Sequence, residues 1–269
     1  MITISSRHNP FVQQCRDLAR RRGAETGEVL LDGLHLLSDA LAAAVPVTAA
    51  AAPDTFWQSP VGAALANALA SGGTILYTGS PAVLEASSPV KAPTGIVAIA
   101  RWRPADVCQV LAMSPALVVC AVHVQDPGNT GAIIRVAEAA GATGVITAAG
   151  SADPFGWKAL RGSMGSAFRL PVAADAQVEA VCREARERGV RVISTSPAGG
   201  SPLHEVDLAG PALILVGGEG SGLPAHVQAS ADVLMQVPMR EPVESLNVAV
   251  AAGVILYEAY RQRHAEART

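Results

Sequence analysis

The sequence is poor in the residues that mark several common protein classes. Its four cysteines, Cys15, Cys108, Cys120 and Cys182, are scattered and form no CxxC pair. A disulfide framework or a zinc site is therefore not expected, and no other metal site is predicted. Cysteine usage of this kind is typical of the reducing cytoplasm.

Long hydrophobic runs and an excess of positive charge are also absent. The longest apolar stretch, 110–124, is interrupted by Ser114, Pro115 and His123 and is too short to span a bilayer. No apolar segment follows the first ten residues, so a secretory signal is not expected. The net charge of −3 argues against a generic nucleic-acid binder, which would carry a basic surface.

Positive charge is nonetheless concentrated at the start of the chain. Residues 1–22 contain five arginines and one aspartate. The guanidinium group pairs bidentately with phosphate, so this run could contact RNA. A solvated helix face is the alternative interpretation of the same charges. The arginines are Arg7, Arg16, Arg20, Arg21 and Arg22.

The length and the hydrophobic pattern predict a layered α/β protein. A chain of 269 residues, half of them hydrophobic, can form one or two domains with a substantial core. Ala-rich helical patterns alternate with short Val/Ile/Leu runs, as in α/β folds. We expect a small first domain over 1–100, a linker over 101–115 that contains Trp102 and Pro104, and a second domain over 116–269.

The two parts differ in how regularly the elements alternate. In the first, helices are predicted at 11–22, 34–44 and 60–70, a loop at 23–27, and strands at 29–31, 45–49, 74–78 and 96–99. In the second, strands are predicted at 117–122, 144–147, 168–171, 190–194, 213–216 and 233–237, and helices at 130–140, 178–188, 224–229 and 246–263. Near-continuous apolar strands separated by helices indicate a parallel sheet that is covered on both faces.

Three stretches of the second part carry residues suited to chemistry. The first is QDPGNTGAIIR, 125–135, at a strand-to-helix junction, where parallel sheets place ligand sites. Asn129 is suited to cap the helix, and Arg135 follows six residues later, within about one residue of the same face. An ordinary capped helix with a surface arginine would show the same pattern.

The second stretch, VGGEGSGLP, is a glycine-rich loop after a predicted strand. It lacks the GxxxxGK[ST] pattern of a P-loop, and its glycines do not fit GxGxxG after a first strand. A dinucleotide site would also be expected early in the sheet. Glu219 lies in this loop, either as a site acid or as an ordinary exposed acid.

The third stretch, VPMREPVESLNVAVAAGVIL, leads into the last predicted helix. Ser245 and Asn247 stand where side-chain oxygens can accept hydrogen bonds from the first-turn amides. The helix that follows is apolar on nearly every face, which predicts burial. Its small residues, 251–253, suit a close contact between two layers or two subunits.

In this order, the three motifs resemble those of the SpoU (TrmH-like) class of SPOUT RNA methyltransferases, over roughly 117–263. The resemblance implies a trefoil knot formed by the last segment, a homodimer, and S-adenosylmethionine as cofactor. It also implies site residues. The implied catalytic residues are Asn129, Arg135, Glu219, Ser245 and Asn247, and the implied cofactor contacts are Gly217, Val237 and Leu246.

The first part resembles the small α/β/α substrate-binding domain that precedes the catalytic domain in many SpoU enzymes. It departs from that pattern at Asp32, where the family usually has Glu, and at His35, where it has Arg. WKALRGSMGSAFRLP, 157–171, is interpreted as a flexible basic loop beside the site. The RNA contacts implied for the whole chain are Arg7, Arg20, Arg21, Arg22, Lys158 and Arg161.

Together these observations predict a cytoplasmic RNA 2′-O-ribose methyltransferase, with large-subunit ribosomal RNA favoured over transfer RNA. No membrane association or metal is expected. Alternatives are a non-catalytic RNA-binding or ribosome assembly factor of the same fold, and a nucleotide-dependent oxidoreductase, which the glycine positions disfavour. Methylation of a ribosomal antibiotic site would share the same chemistry.

Overall fold

The computed structural model describes residues 1–90, 95–220 and 222–265, and the chain forms two compact units. The first unit comprises Met1–Arg103 and Phe155–Phe168. The second comprises Pro104–Pro154 and the chain from Arg169 onward. Each unit has its own sheet. Within the described residues, every helix is too short or too polar to cross a lipid bilayer.

The first unit is built on a five-stranded mixed sheet in the order β1-β4-β3-β5-β2. Strands β1, β4 and β3 are parallel, and β5 is antiparallel to both β3 and β2. The strands are β1 Ile2–Ile4, β2 Glu28–Asp32, β3 Val47–Ala52, β4 Ile75–Gly79 and β5 Val97–Arg101. The helices before residue 104 are α1 Pro10–Leu18, α2 Gly23–Thr26, α3 Leu34–Ala42, α4 Asp54–Trp57, α5 Pro60–Ser71 and α6 Pro81–Glu85.

The first helix is shorter than the sequence predicts. The prediction extended it to residue 22, but α1 ends at Leu18, and the amides of Arg20 and Arg21 both bond to the carbonyl of Asp17 in a turn. The predicted loop at 23–27 is instead the single helical turn α2. Gly27, at φ 68°, ends that turn in the left-handed conformation that glycine adopts without strain.

The second unit is an all-parallel sheet of seven strands in the order β10-β12-β9-β11-β6-β7-β8. Its strands are β6 Leu117–Val122, β7 Gly144–Ala148, β8 Val172–Ala176, β9 Arg191–Ser196, β10 Ser201–Pro202, β11 Ala212–Gly217 and β12 Val233–Gln236. Its helices are α7 Val107–Leu111, α8 Pro127–Ala139, α11 Val178–Glu187, α12 Ala225–Ala229 and α13 Val248–Ala265, with a 3-10 turn at Leu203–Glu205.

Helices cover both faces of the parallel sheet, as predicted. Every residue of the central strand β6 is buried. On one face, α7, α11 and α12 share a core with alternate residues of β6, β7 and β11. On the other face, α13 packs along α8, and a Cβ on Gly253 would lie 3.4 Å from Val136. Gly253 therefore lies in the contact between these two helices.

Residues 155–168 leave the second unit after β7 and complete the first. They carry α9 Trp157–Ser163 and lead into α10 Ser166–Arg169. Helix α9 packs on β2, and the rings of Phe155 and Phe168 lie 6.1 and 5.1 Å from Trp102. The predicted domains, 1–100 and 116–269, place residues 155–168 in the second domain. The predicted linker, 101–115, contains Arg101 of β5 and all of α7.

Two predictions for this segment are wrong. The basic stretch 157–171 is helical, with Met164 and Gly165 in left-handed conformations between α9 and α10. The strand predicted at 168–171 is absent: its first two residues belong to α10, and β8 begins at Val172. A short apolar run has no periodicity that separates a strand from a buried helical turn, so the burial of Phe168 was compatible with both.

Candidate active site

A cleft of about 380 Å³ opens at the carboxyl ends of β9 and β11 and beside the start of α13. Strand ends in a parallel sheet project their following loops to one edge, where ligands bind. The cleft contains six of the eight residues proposed for catalysis and cofactor contact. These six are Gly217, Glu219, Val237, Ser245, Leu246 and Asn247.

The glycine-rich loop after β11 is shaped by close backbone contacts. A Cβ on Gly217 would lie 2.3 Å from the carbonyl carbon of Gly222, and one on Gly218 would lie 1.9 Å from the carbonyl oxygen of His123. The Gly218 amide donates to the carbonyl of Val122 at 2.9 Å, which joins the loop to β6. Only glycine fits at these two positions without backbone movement.

Three polar side chains from the three motifs form one hydrogen-bonded chain. The Nδ2 group of Asn247 donates to Oδ1 of Asn129 at 3.0 Å. Nδ2 of Asn129 in turn donates to Oε1 of Glu219. Because Oδ1 of Asn129 accepts from Asn247, the Nδ2 donor of Asn129 is directed toward the carboxylate of Glu219.

Helix capping explains how two of these side chains are placed. Asp126, not Asn129, caps α8: its Oδ1 accepts from the amide of Asn129 at 2.8 Å. The prediction that Asn129 forms the cap is therefore wrong. Asn129 is the third helical residue, so its side chain is available to the cleft. At α13, Asn247 is the capping residue, and its Oδ1 accepts from the amides of Ala249 and Val250 at 2.9 and 3.3 Å.

Arg135 lies apart from this arrangement. Its side chain is exposed on α8, and it is not among the described residues that line the cleft. Six residues of α-helix correspond to an axial distance of about 9 Å, so Arg135 stands well along α8 from Asn129.

Several residues that line the cleft were not among the proposed site residues, including one wall outside the three motifs. Thr195, Ser196 and Pro197 follow or end β9, and Met239 follows β12. The Thr195 hydroxyl donates to the carbonyl of Leu215 at 2.9 Å, which ties this wall to β11. The carboxyl end of a predicted parallel strand was the signal that could have identified the first three.

The far end of α13 is fixed by polar contacts to the loop before β11. Nε2 of Gln262 donates to the carbonyl of Val206, and its Oε1 accepts from the amide of Leu208 at 2.6 Å. The guanidinium of Arg263 donates to the carbonyls of Leu208, Gly210 and Ala116. Partial burial lowers the pKa of Arg263 from its ordinary value. These bonds hold the helix whose first turn carries Asn247.

The basic residues proposed for RNA contact all lie in the first unit. Arg22 is half-buried at the start of α2, and the rest are exposed. The ammonium group of Lys158 lies 5.5 Å from the centre of the Trp157 ring. The exposed residues are Arg7 before α1, Arg20 and Arg21 after it, and Lys158 and Arg161 on α9.

Comparison with known proteins identifies the class. Residues 116–257 match the model of the SpoU rRNA Methylase family. An uncharacterized tRNA/rRNA methyltransferase of Synechocystis is 34% identical over 270 residues, 98% of this chain and 95% of that protein. The chain also matches mycobacterial tRNA/rRNA methyltransferases, of whose length it spans about half.

Solved structures resemble nearly the full length of the chain. An AdoMet-bound rRNA methyltransferase from Sinorhizobium meliloti has a TM-score of 0.83 and 31% identity, covering 96% of this chain and 97% of that one. An RNA 2′-O ribose methyltransferase has a TM-score of 0.78 and 31% identity, covering 97% and 99%.

The fold and the motifs are those of an RNA methyltransferase with a parallel α/β catalytic unit. The chain belongs to the SpoU rRNA methylase family. This confirms the resemblance drawn from the three motifs, and the likeness to solved structures confirms the predicted fold class.

Proposed function

We propose that the protein transfers a methyl group from S-adenosylmethionine to a ribose 2′-hydroxyl of large-subunit ribosomal RNA. The observation that carries the proposal is the hydrogen-bonded chain of Asn247, Asn129 and Glu219 beside a glycine-walled cleft. The specificity for ribose is supported by the likeness to an RNA 2′-O ribose methyltransferase, and the ribosomal substrate by the likeness to the Sinorhizobium enzyme.

The cleft fits the cofactor in shape and in chemistry. Gly217 packs against the backbone of Gly222, and Gly218 packs against the carbonyl of His123, so this wall of the cleft consists of backbone groups that a nucleoside can contact. Val237, Met239 and Leu246 supply apolar surface. We assign the cofactor to these residues, with Thr195 as an additional contact. When bound, the cofactor supplies a methyl group on a positively charged sulfonium, which is a good leaving group.

The three linked side chains can position the ribose. The bond from Asn129 uses Oε1 of Glu219, so Oε2 can accept a hydrogen bond from a substrate hydroxyl. Asn247 acts through Asn129, because it fixes the orientation of that amide. Ser245 adds a hydroxyl to the same wall. Alignment of this kind is the main requirement for in-line displacement, because it converts an encounter into a fixed approach.

Arg135 is assigned to the RNA phosphate. Its guanidinium stays protonated in proteins, so the proton of the hydroxyl passes to an RNA phosphate, to water or to a carboxylate and not to Arg135. Since Arg135 lies apart from Asn129 and Glu219, its contact to the reacting ribose depends on bound RNA; a cation held there by the phosphate would stabilise the negative charge that develops on the attacking oxygen.

A homodimer in the cytoplasm completes the proposal. Helix α13 buries Val248, Ala252 and Ile255 within its own chain but exposes Val250, Val254 and Tyr257 by 53%, 42% and 52%. Exposed apolar residues four and seven positions apart on one helix form a stripe that a second copy can cover. The trefoil knot remains a prediction from the family.

The experiment is transfer of radiolabelled methyl from S-adenosylmethionine to RNA from cells lacking the gene. We expect label in large-subunit ribosomal RNA that resists alkaline cleavage, as 2′-O-methyl ribose does. Arg135→Ala should lower turnover by about a hundredfold or more and leave cofactor affinity nearly unchanged, since it removes a contact to RNA and Arg135 does not line the cofactor cleft. Arg183→Ala, an exposed arginine on α11, is the control.

Other outcomes separate the alternatives. Label in transfer RNA would keep the chemistry and change the substrate. Cofactor binding without label in any fraction would favour an assembly factor or a substrate absent from that RNA. Full turnover in the Arg135 variant would remove its catalytic assignment.

A further inference from the structure

A second, smaller cavity lies in the same unit at the carboxyl ends of β6, β7 and β8, with a volume of about 200 Å³. Its floor is apolar and includes Val122, Ala148 and Val227. Four polar side chains surround the opening. These are His123, Gln177, Glu179 and His226. None of them belongs to the cleft assigned to the cofactor.

His123 stands between the two cavities. Its carbonyl oxygen lies against Gly218, the glycine that shapes the cofactor cleft, while its side chain belongs to the wall of the second cavity. The segment that begins at His123 continues directly into Asn129. Strand β11, which ends at the cofactor cleft, pairs with β6, which ends at the second cavity, so both cavities open at the same edge of the sheet.

The backbone of His123 and a neighbouring glycine position its ring at the edge of the sheet. The residue has φ 56°, in the left-handed region that favours glycine, so a structural constraint holds it there. A Cβ on Gly150 would lie 3.2 Å from Cδ2 of His123, so the absent side chain lets the ring rest on the loop after β7. An exposed imidazole held at such a point offers a flat surface on which a nucleobase can stack.

The opposite wall carries hydrogen-bonding groups. Oε1 of Glu179 and Nε2 of His226 lie 3.2 Å apart, and both side chains are more than 60% exposed. A surface pair of this kind contributes little to folding stability, so either partner can turn toward a ligand. A carboxylate accepts hydrogen bonds only, which favours bases that present an amino group.

We propose that this cavity is a subsite for a base of the RNA next to the methylated nucleotide. In it, His123 stacks on the base, and Glu179, paired with His226, accepts a hydrogen bond from the base edge. This assignment rests on the proposed function, because it assumes that the substrate is RNA, and it adds detail to that function. It also places sequence selection in the catalytic unit, separate from phosphate contact by exposed arginines.

The test is binding of fluorescein-labelled decanucleotides rC10 and rU10 to the full chain, measured by fluorescence anisotropy at fixed low salt. The variants are Glu179→Gln and His123→Gly, the second chosen because glycine adopts φ 56° without strain. Glu187→Gln, on the exposed end of the same helix, is the matched control.

We expect Glu179→Gln to shift the ratio of the two dissociation constants about fivefold toward rU10, because an amide can also donate to uracil O4. His123→Gly should weaken both complexes about tenfold, since stacking on an aromatic ring depends little on which base is present. The control should change neither quantity.

An unchanged ratio in Glu179→Gln would overturn the subsite, as would unchanged affinities in His123→Gly or no binding of either oligonucleotide by the wild-type chain. Cofactor binding and methyl transfer are measured separately on the wild type. Their absence would contradict the proposed function, whereas the oligonucleotide ratios report only on the subsite.

Discussion

The two units place their polar side chains in different ways. In the second unit, Asn129, Glu219 and Asn247 come from three distant motifs and bond to one another at the edge of the sheet. In the first unit, the basic residues proposed for RNA contact lie mostly exposed in turns and on α9. Side chains that are hydrogen-bonded to one another function only in a defined geometry, whereas exposed cations attract RNA through their charge. Substitutions in the two units should therefore affect different quantities.

The largest effect is expected where the site depends on backbone contact. Gly218→Ala would place a Cβ 1.9 Å from the carbonyl oxygen of His123, so the loop must move. We expect a cost of about 3 kcal/mol, which is more than a hundredfold if it falls on cofactor binding. Calorimetric titration with S-adenosylhomocysteine measures it. Gly210→Ala, whose Cβ meets open space, is the control.

The next effect tests whether the excursion 155–168 supports the first unit. Leu160 on α9 is fully buried, so Leu160→Ala should lower the free energy of unfolding by about 2–5 kcal/mol. The chain's three tryptophans, Trp57, Trp102 and Trp157, all lie in the first unit, so tryptophan fluorescence during urea unfolding reports on it.

Val61→Ala, at an exposed position of the same unit, should change that transition little. If Leu160→Ala left the tryptophan transition unchanged but weakened cofactor binding, the excursion would belong energetically to the catalytic unit instead.

A smaller effect separates the two tasks of Asn247. Asn247→Asp keeps an oxygen to cap α13 but loses the donor to Asn129, so turnover should fall about a hundredfold with the melting temperature nearly unchanged. Asn247→Ala removes both contacts and should also cost about 1 kcal/mol of stability. Equal turnover in the wild type and the Asp variant would show that the orientation of Asn129 does not matter.

The smallest effect is expected from exposed charge in the first unit. Arg20→Ala combined with Arg21→Ala should weaken binding of ribosomal RNA about tenfold and reduce the slope of log affinity against log salt by about 0.7 per lost phosphate contact. Arg22 is excluded because it is half-buried at the start of α2. Filter binding across a salt series measures the slope. If the slope equals that of Arg183→Ala, Arg20 and Arg21 do not contact RNA phosphate and belong to an ordinary solvated surface.

Sequence reasoning was most successful where the signal is local. Five of the six strands predicted for the second unit are present, since buried parallel strands are continuous apolar runs. The cap on α13 was predicted at Ser245 or Asn247, since both side chains can accept from first-turn amides, and Asn247 is the residue that does so. The cap on α8 was assigned to Asn129 instead of Asp126, three residues earlier, since both residue types can cap a helix.

Residues 155–168 show where local reasoning stops. Their Lys and Arg residues between small side chains were interpreted as a flexible loop, yet they form α9 and α10 against the first unit. The decisive factor is burial of Phe155, Leu160 and Phe168 against residues far away in the chain. Periodicity within the segment contains no information about that partner surface.

The sequence by itself determined the layered α/β class, most elements of both units and, through the order of three motifs, the family. Tertiary structure alone decided that Asn129 meets Glu219 and Asn247, which are 90 and 118 residues away along the chain. It also decided that residues 155–168 leave one unit to complete the other. Local preferences follow from the chemistry of neighbouring residues, whereas these contacts follow from strand order and from which apolar faces bury each other.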